Sequence, residues 1–134
     1  MLISVYALLW GALTVFGQAP EQTVTWNIKT EYGNDGEVEV IFEGTTLEGW
    51  HTYSITDATN GNTVSFEENA ALTATGDITE QGNVVDENGS KVIYDTFTIR
   101  RSFRMNAETA VLKGEISWKS CKGHDCASPE YQDF

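Results

Sequence analysis

From Val24 onward the chain alternates apolar and polar positions and does not space them at helical intervals. Val24, Trp26 and Ile28 make one such set, and Val38, Val40 and Phe42 a second. A period of two puts every other side chain on one face of an extended strand, so each run predicts a half-buried β-strand. Between them, Gly33-Asn34-Asp35-Gly36 supplies residues that accept positive φ, which predicts a hairpin. Further sets follow in Val64 and Phe66, in Leu72, Ala74 and Ile78, in Ile93, Phe97, Ile99 and Phe103, and in Leu112, Ile116 and Trp118, with a last strand over Glu130 to Phe134. Turn signals at Thr59-Asn60-Gly61-Asn62 and Glu87-Asn88-Gly89-Ser90 separate them, and no window reads as a capped amphipathic helix. About seven or eight short strands at this spacing favour an all-β fold, an immunoglobulin-like antiparallel β-sandwich. A small closed barrel is the alternative.

The 134 residues leave room for one core, and a composition of 40% hydrophobic and 21% charged residues argues against disorder along the whole length. One domain is expected over residues 23–134. The formal net charge is −12, and none of the residues from Met1 to Pro20 carries a side-chain charge, so the remainder holds all of it. Such a polyanion is repelled by phosphate backbones, which sets nucleic-acid binding aside.

Ile3 to Phe16 is almost wholly apolar. It is longer than a buried strand and shorter than the roughly 20 residues that span a bilayer. That length predicts a signal peptide over residues 1–17, cleaved after Gly17, with an uncleaved anchor as the other reading. Export would place the two cysteines of the chain in an oxidising compartment, where they are expected to pair.

Both cysteines lie in Trp118-Lys119-Ser120-Cys121-Lys122-Gly123-His124-Asp125-Cys126-Ala127-Ser128-Pro129. Gly123 permits a sharp reversal between Cys121 and Cys126, so a disulfide is sterically feasible. A structural staple is the simpler reading, although closing so short a loop contributes only about 2 kcal/mol in the chain-entropy model. An exchanging bridge is the other. His124 between two thiols matches no standard zinc spacing, so no metal is expected. The gap is not that of a thioredoxin motif at a helix start either. Any thiolate activation therefore falls to Lys119, Lys122 and His124, against Asp125 and the overall charge. His51 and His124 are the only histidines, and neither Gly-x-Ser-x-Gly nor His-Glu-x-x-His occurs, so a hydrolase or metalloenzyme has little support.

The exported β-rich domain, the stretch Gly49-Trp50-His51-Thr52-Tyr53-Ser54 and the Cys-x4-Cys followed by Ser128-Pro129 together resemble the N-terminal periplasmic domain of the DsbD family of thiol:disulfide interchange proteins. The resemblance implies an immunoglobulin-like domain that takes electrons from a membrane-embedded thiol donor through a thioredoxin-like partner and delivers them to oxidised extracytoplasmic proteins. Thiol–disulfide exchange of this kind needs no cofactor. By the same resemblance Cys121 and Cys126 are the redox pair, with Cys126 forming the mixed disulfide and Cys121 resolving it. Trp50, His51 and Tyr53 would lie beside the cysteines as shielding or partner-contact residues, with His124 in the same group; ordinary packing and a polar turn are the alternatives. Asp86-Glu87-Asn88-Gly89 falls where the family has a loop that caps the disulfide. The family loop lays an aromatic ring over the sulfurs, whereas here Val84 and Val85 are followed by polar residues and Asn88-Gly89 reads equally as a hairpin turn. Outside this resemblance, the rival is a non-catalytic extracytoplasmic binding module whose disulfide only pins a hairpin.

Overall fold

The computed structural model describes residues 22–134; the expected signal peptide lies outside them. The first two predicted runs form β1 (Val24–Tyr32) and β2 (Glu37–Thr46), paired antiparallel along all of β1 from Val24↔Thr46 to Tyr32↔Val38. Asp35 and Gly36 turn the corner at φ values of 57° and 78°. Two short strands follow, β3 (His51–Tyr53) and β4 (Thr63–Phe66), then β5 (Leu72–Ala74) and β6 (Thr79–Glu87). The longest strand is β7, whose 16 residues run from Ser90 to Met105. β8 (Gly114–Trp118), β9 (Ser120–Lys122), β10 (Asp125–Cys126) and β11 (Glu130–Asp133) complete the described chain.

β7 is the spine of the larger sheet. Along one edge it pairs with β2 through Thr96 to Arg104 and with β3 through Val92 to Tyr94. Along the other it pairs with β5 and β6. β2 and β3 are thus successive pieces of one edge, broken at Leu47–Trp50. Asp95 lies opposite the break at a φ of 69°, and its N–H donates to the Thr46 hydroxyl at 2.9 Å. Past the break the next neighbour changes: β1 lies outside β2, whereas β9 and then β10 lie outside β3. A second sheet of three strands, in the order β11-β8-β4, packs across the larger one.

The predicted immunoglobulin-like antiparallel sandwich is the fold that forms. Val24, Phe42, Ile93, Ile99 and Ile116 are completely buried between the sheets. Phe42 meets the Phe66 and Phe134 rings at centroid distances of 6.1 and 5.2 Å, and Trp26 packs edge-on against Phe97 and Trp118. These offset geometries suit the ring quadrupoles. Gly44 is bare because a side chain there would strike the Phe97 and Trp26 rings at 2.6 to 2.9 Å. On the other face of the larger sheet, Ile41 is buried between its register partners Lys29 and Arg100, whose charged ends pair with Glu43 and Glu39. Their aliphatic stems can cover it while the charges stay wet.

Two expected strands are cut differently. Ala74 and Ile78 do not share a strand, because the chain bends between β5 and β6, and Leu112 precedes β8 although it packs on the core. Phe42→Ala is expected to lower unfolding free energy by about 3–5 kcal/mol, the usual cost of emptying a fully buried phenylalanine site, as read from a denaturant midpoint at unchanged slope.

Candidate functional site

Register decides what surrounds the cysteines. In the β9–β3 ladder Ser120 faces Thr52 and Cys121 faces His51, while in the β3–β7 ladder His51 faces Tyr94, Thr52 faces Ile93 and Tyr53 faces Val92. Side chains alternate across a strand, so Cys121, His51, Tyr53, Val92 and Tyr94 share one face, and Ser120, Thr52 and Ile93 the other.

The inner face carries a buried polar knot that fixes β9. The Thr23 hydroxyl lies 2.8 Å from both Ser120 Oγ and Glu130 Oε2, and it accepts from the Trp118 indole at 3.2 Å. The Thr23 N–H donates to Glu130 Oε1 at 3.1 Å, and the Thr52 hydroxyl donates to the Lys119 carbonyl at 2.9 Å. Hydrogen bonds of this type contribute about 1 kcal/mol each, and leaving one buried partner unpaired costs more.

The outer face carries a patch of aromatic and aliphatic side chains. Cys121, 2% exposed, clusters with Tyr53 and Val92, and Val85 and Tyr94 pack against them. His51 is wedged between Tyr53 and Tyr94, with ring centroids 5.8 and 5.4 Å away. Tyr53 Oη lies 3.6 Å from Cys121 Sγ. A disulfide sulfur has no hydrogen, so the hydroxyl is the donor in that contact.

Cys121 and Cys126 are bonded to each other, as expected for paired thiols. They sit directly opposite across the β9–β10 hairpin with Cα atoms 3.9 Å apart. Lys122 opposes Asp125, Gly123 and His124 form the tip, and Gly123 turns it at a φ of 60°. At the base the Ala127 N–H donates to the Ser120 carbonyl at 3.0 Å. The two sulfur-bearing residues have unlike surroundings: Cys121 is buried in the patch, and Cys126 is exposed at the sheet margin.

The other expected residues fall in four places. His51 and Tyr53 are in the patch. Trp50 is half-buried beside it, lining an open groove of roughly 590 Å³ with Leu47, Ala127, Pro129 and Tyr131. His124 is exposed at the hairpin tip. Asp86 and Glu87 end β6, where Glu87 pairs with Ser90 and Asn88-Gly89 closes a two-residue hairpin at φ values of 55° and 89°. Asp86 accepts the Gly89 N–H at 3.0 Å and so belongs to the turn. Glu87 accepts the Tyr94 hydroxyl at 2.6 Å, which ties the hairpin to the patch. That bond, with desolvation and the Glu87 charge added, raises the Tyr94 pKa.

Sequence reasoning missed Tyr94, Val92 and Val85. The signal for two of them was present in Val92-Ile93-Tyr94, an uninterrupted apolar run, which marks a strand covered on both faces and not on one. Among the described residues, no three or more His, Cys, Asp or Glu side chains are placed to share a metal ion.

No protein-family model matches the chain, and no curated protein matches it. Solved structures do. The N-terminal periplasmic domain of ScsB from Proteus mirabilis superimposes with a TM-score of 0.56 at 14% identity, over 85% of this chain and 47% of that one, so the chain spans about half its length. The GAE domain of yeast GGA1 gives 0.51 at 7% identity, over 87% and 93%. The reduced N-terminal domain of DsbD from Neisseria meningitidis gives 0.48 at 15% identity, over 88% and 87%. The fold is therefore shared with about half of the ScsB N-terminal domain. The yeast domain shares it almost as well, so architecture alone selects no activity, and the chemistry of the disulfide must.

The fold favours the neutral Tyr94 phenol. Its contribution to stability is intact below the ordinary tyrosine value of 10.0 and is lost as pH rises through the elevated folded-state midpoint. Spectrophotometric titration, read for Tyr94 as the difference between the wild type and Tyr94→Phe, is expected to place its step above the ordinary value and to move it back toward that value in Glu87→Ala.

Proposed function

We propose that this domain is an extracytoplasmic thiol–disulfide exchange module that works through Cys121 and Cys126. The observation that carries the reading is the unequal exposure of the two residues: an exposed Cys126 bonded to a buried Cys121. Exposed disulfides are the labile and catalytic ones, and exchange needs a sulfur that a third thiolate can reach in line. The shared fold with a periplasmic ScsB domain and the signal-like segment before Gln18 support an exported location.

The steps balance as follows. A donor thiolate attacks Cys126 Sγ, the bond to Cys121 breaks, and its electron pair stays on Cys121 as thiolate. A second donor thiol then attacks the donor sulfur of this mixed disulfide, releasing Cys126 and leaving the donor oxidised and the domain reduced. In delivery, the Cys126 thiolate attacks the disulfide of an oxidised target. Cys121 then attacks Cys126 Sγ, which frees the reduced target and restores the Cys121–Cys126 bond. A thioredoxin-like protein, fed by a membrane-embedded thiol donor, suits the first half of the cycle. Trp50, in the groove that Ala127 also lines, and His124, at the hairpin tip, are the side chains we assign to partner contact, and Glu87 holds the patch that covers Cys121.

The expected outcome is ready reduction of the folded domain by excess dithiothreitol, followed as free thiols. Activated with an aromatic disulfide, Cys121→Ser should form a stable mixed disulfide with a thioredoxin-like protein lacking its second active-site cysteine. Cys126→Ser, whose remaining thiol is buried, should do so at least roughly tenfold more slowly. A bridge that stays oxidised in the folded domain under these conditions would leave only the staple.

A further inference from the structure

We infer that the Tyr53 hydroxyl is a catalytic group of the exchange, stabilising the thiolate that forms on Cys121 when Cys126 is attacked; the inference rests on the exchange function proposed above. When the sulfur–sulfur bond breaks, the leaving electron pair lands on the buried partner. Burial disfavours a thiolate, because water is not there to solvate it. The leaving group of this reaction is therefore in the costlier of the two positions, and exchange rates depend on how well that group holds charge.

One polar hydrogen among the described side chains is placed to offset this. Tyr53 Oη is 3.6 Å from Cys121 Sγ, within donor range for sulfur, and the ring beneath it is itself buried. As negative charge grows on Cys121, the contact becomes a charge-assisted hydrogen bond, roughly twice as strong as a neutral one. It thus acts more in the transition state than in the resting disulfide, which is the condition for raising a rate. The hydroxyl is held where it is through its ring. His51 packs edge-on against the Tyr53 ring, and Tyr94, anchored through Glu87, packs against His51. The hydrogen bond to sulfur is made by Tyr53, and His51 and Tyr94 are positioning residues.

The same bond should work in reverse in the reduced domain, where it would favour the Cys121 thiolate that resolves the mixed disulfide on Cys126. One hydroxyl then assists both halves of the cycle without transferring its proton.

The test compares Tyr53→Phe, which keeps the ring and removes only the donor, with the wild type and with Tyr32→Phe, which removes the hydroxyl of an exposed tyrosine at the far end of β1. Far-ultraviolet dichroism and thermal unfolding establish that each variant is folded. Reduction by dithiothreitol at fixed pH should be about tenfold slower in Tyr53→Phe and unchanged in Tyr32→Phe, tenfold corresponding to about one unit in leaving-group pKa at full sensitivity. Separately, the thiolate absorbance of Cys121, titrated in a Cys126→Ser background, should move to higher pH when Tyr53→Phe is added. An unmoved midpoint overturns the role of Tyr53, as does an equal shift in Tyr32→Phe. The titration reads Tyr53 whether or not the intact disulfide exchanges. A wild-type bridge inert to dithiothreitol would therefore sink the exchange function, while the midpoint still decides the hydrogen bond.

Discussion

The register of β9 against β3 is the constraint on which the site depends. Ser120 opposite Thr52 and Cys121 opposite His51 send one side chain inward and the next outward. A slip of one residue would put the sulfur among Thr23, Glu130 and Trp118, and leave the serine under the aromatic rings. Three-residue strands pair weakly on their own, so the register must be held by side chains. The Thr23–Ser120–Glu130 knot does this: it joins the chain before β1, β9 and β11, elements about a hundred residues apart in sequence. The polar interior and the reactive exterior are two faces of the same three residues.

From there the asymmetry of the disulfide follows. β9 lies between β3 and β10, so Cys121 has a neighbour on both sides and is covered by the patch, whereas β10 is two residues long and ends the sheet. Cys126 is exposed because nothing pairs beyond it on that sheet. A hairpin of this kind, closed by Lys122 and Asp125 and tied at its base by Ala127 to Ser120, has contacts that do not need the sulfur bond. In the proposed cycle, reduction would then open the bridge while the hairpin stays formed, with both thiols opposite each other for the return step.

Much of this was legible in the residues. Alternation in Val24 to Ile28, Val38 to Phe42 and Ile93 to Phe103 located the core strands, because a face buried in a sandwich must be apolar at every second position. Gly123 between the cysteines marked the turn that brings them together. β6 was not legible, since most of its residues are exposed and its apolar content is confined to Val84 and Val85 at one end. It is a strand because β7 offers it a long free edge, a tertiary cause that leaves no local signal. β3 was too short to show a period. The partnership of Thr23 with Ser120 is set by which strands become neighbours, and one sequence does not encode that in any spacing; Tyr53 was expected beside the cysteines only through the family resemblance.

The charge of the molecule bears on how such a site is approached. The attacking species in exchange is an anion, and it meets a chain of net charge −12. Three of the eight Lys and Arg side chains are engaged by Glu43, Glu39 and Glu37 on the open face of the larger sheet. Within residues 119–126 Lys119 and Lys122 stand against Asp125, while Glu87 and Glu130 flank the two faces of the strand pair. With a Debye length of about 10 Å at 0.1 M salt, those neighbours act on an incoming thiolate almost unscreened, while the distant carboxylates are largely masked. At low ionic strength the whole anionic surface would be felt, and a partner with a cationic rim around its cysteine would be favoured over an acidic one. In the proposed cycle the chemistry falls to the sulfurs and Tyr53, and the choice of partner to the field around them.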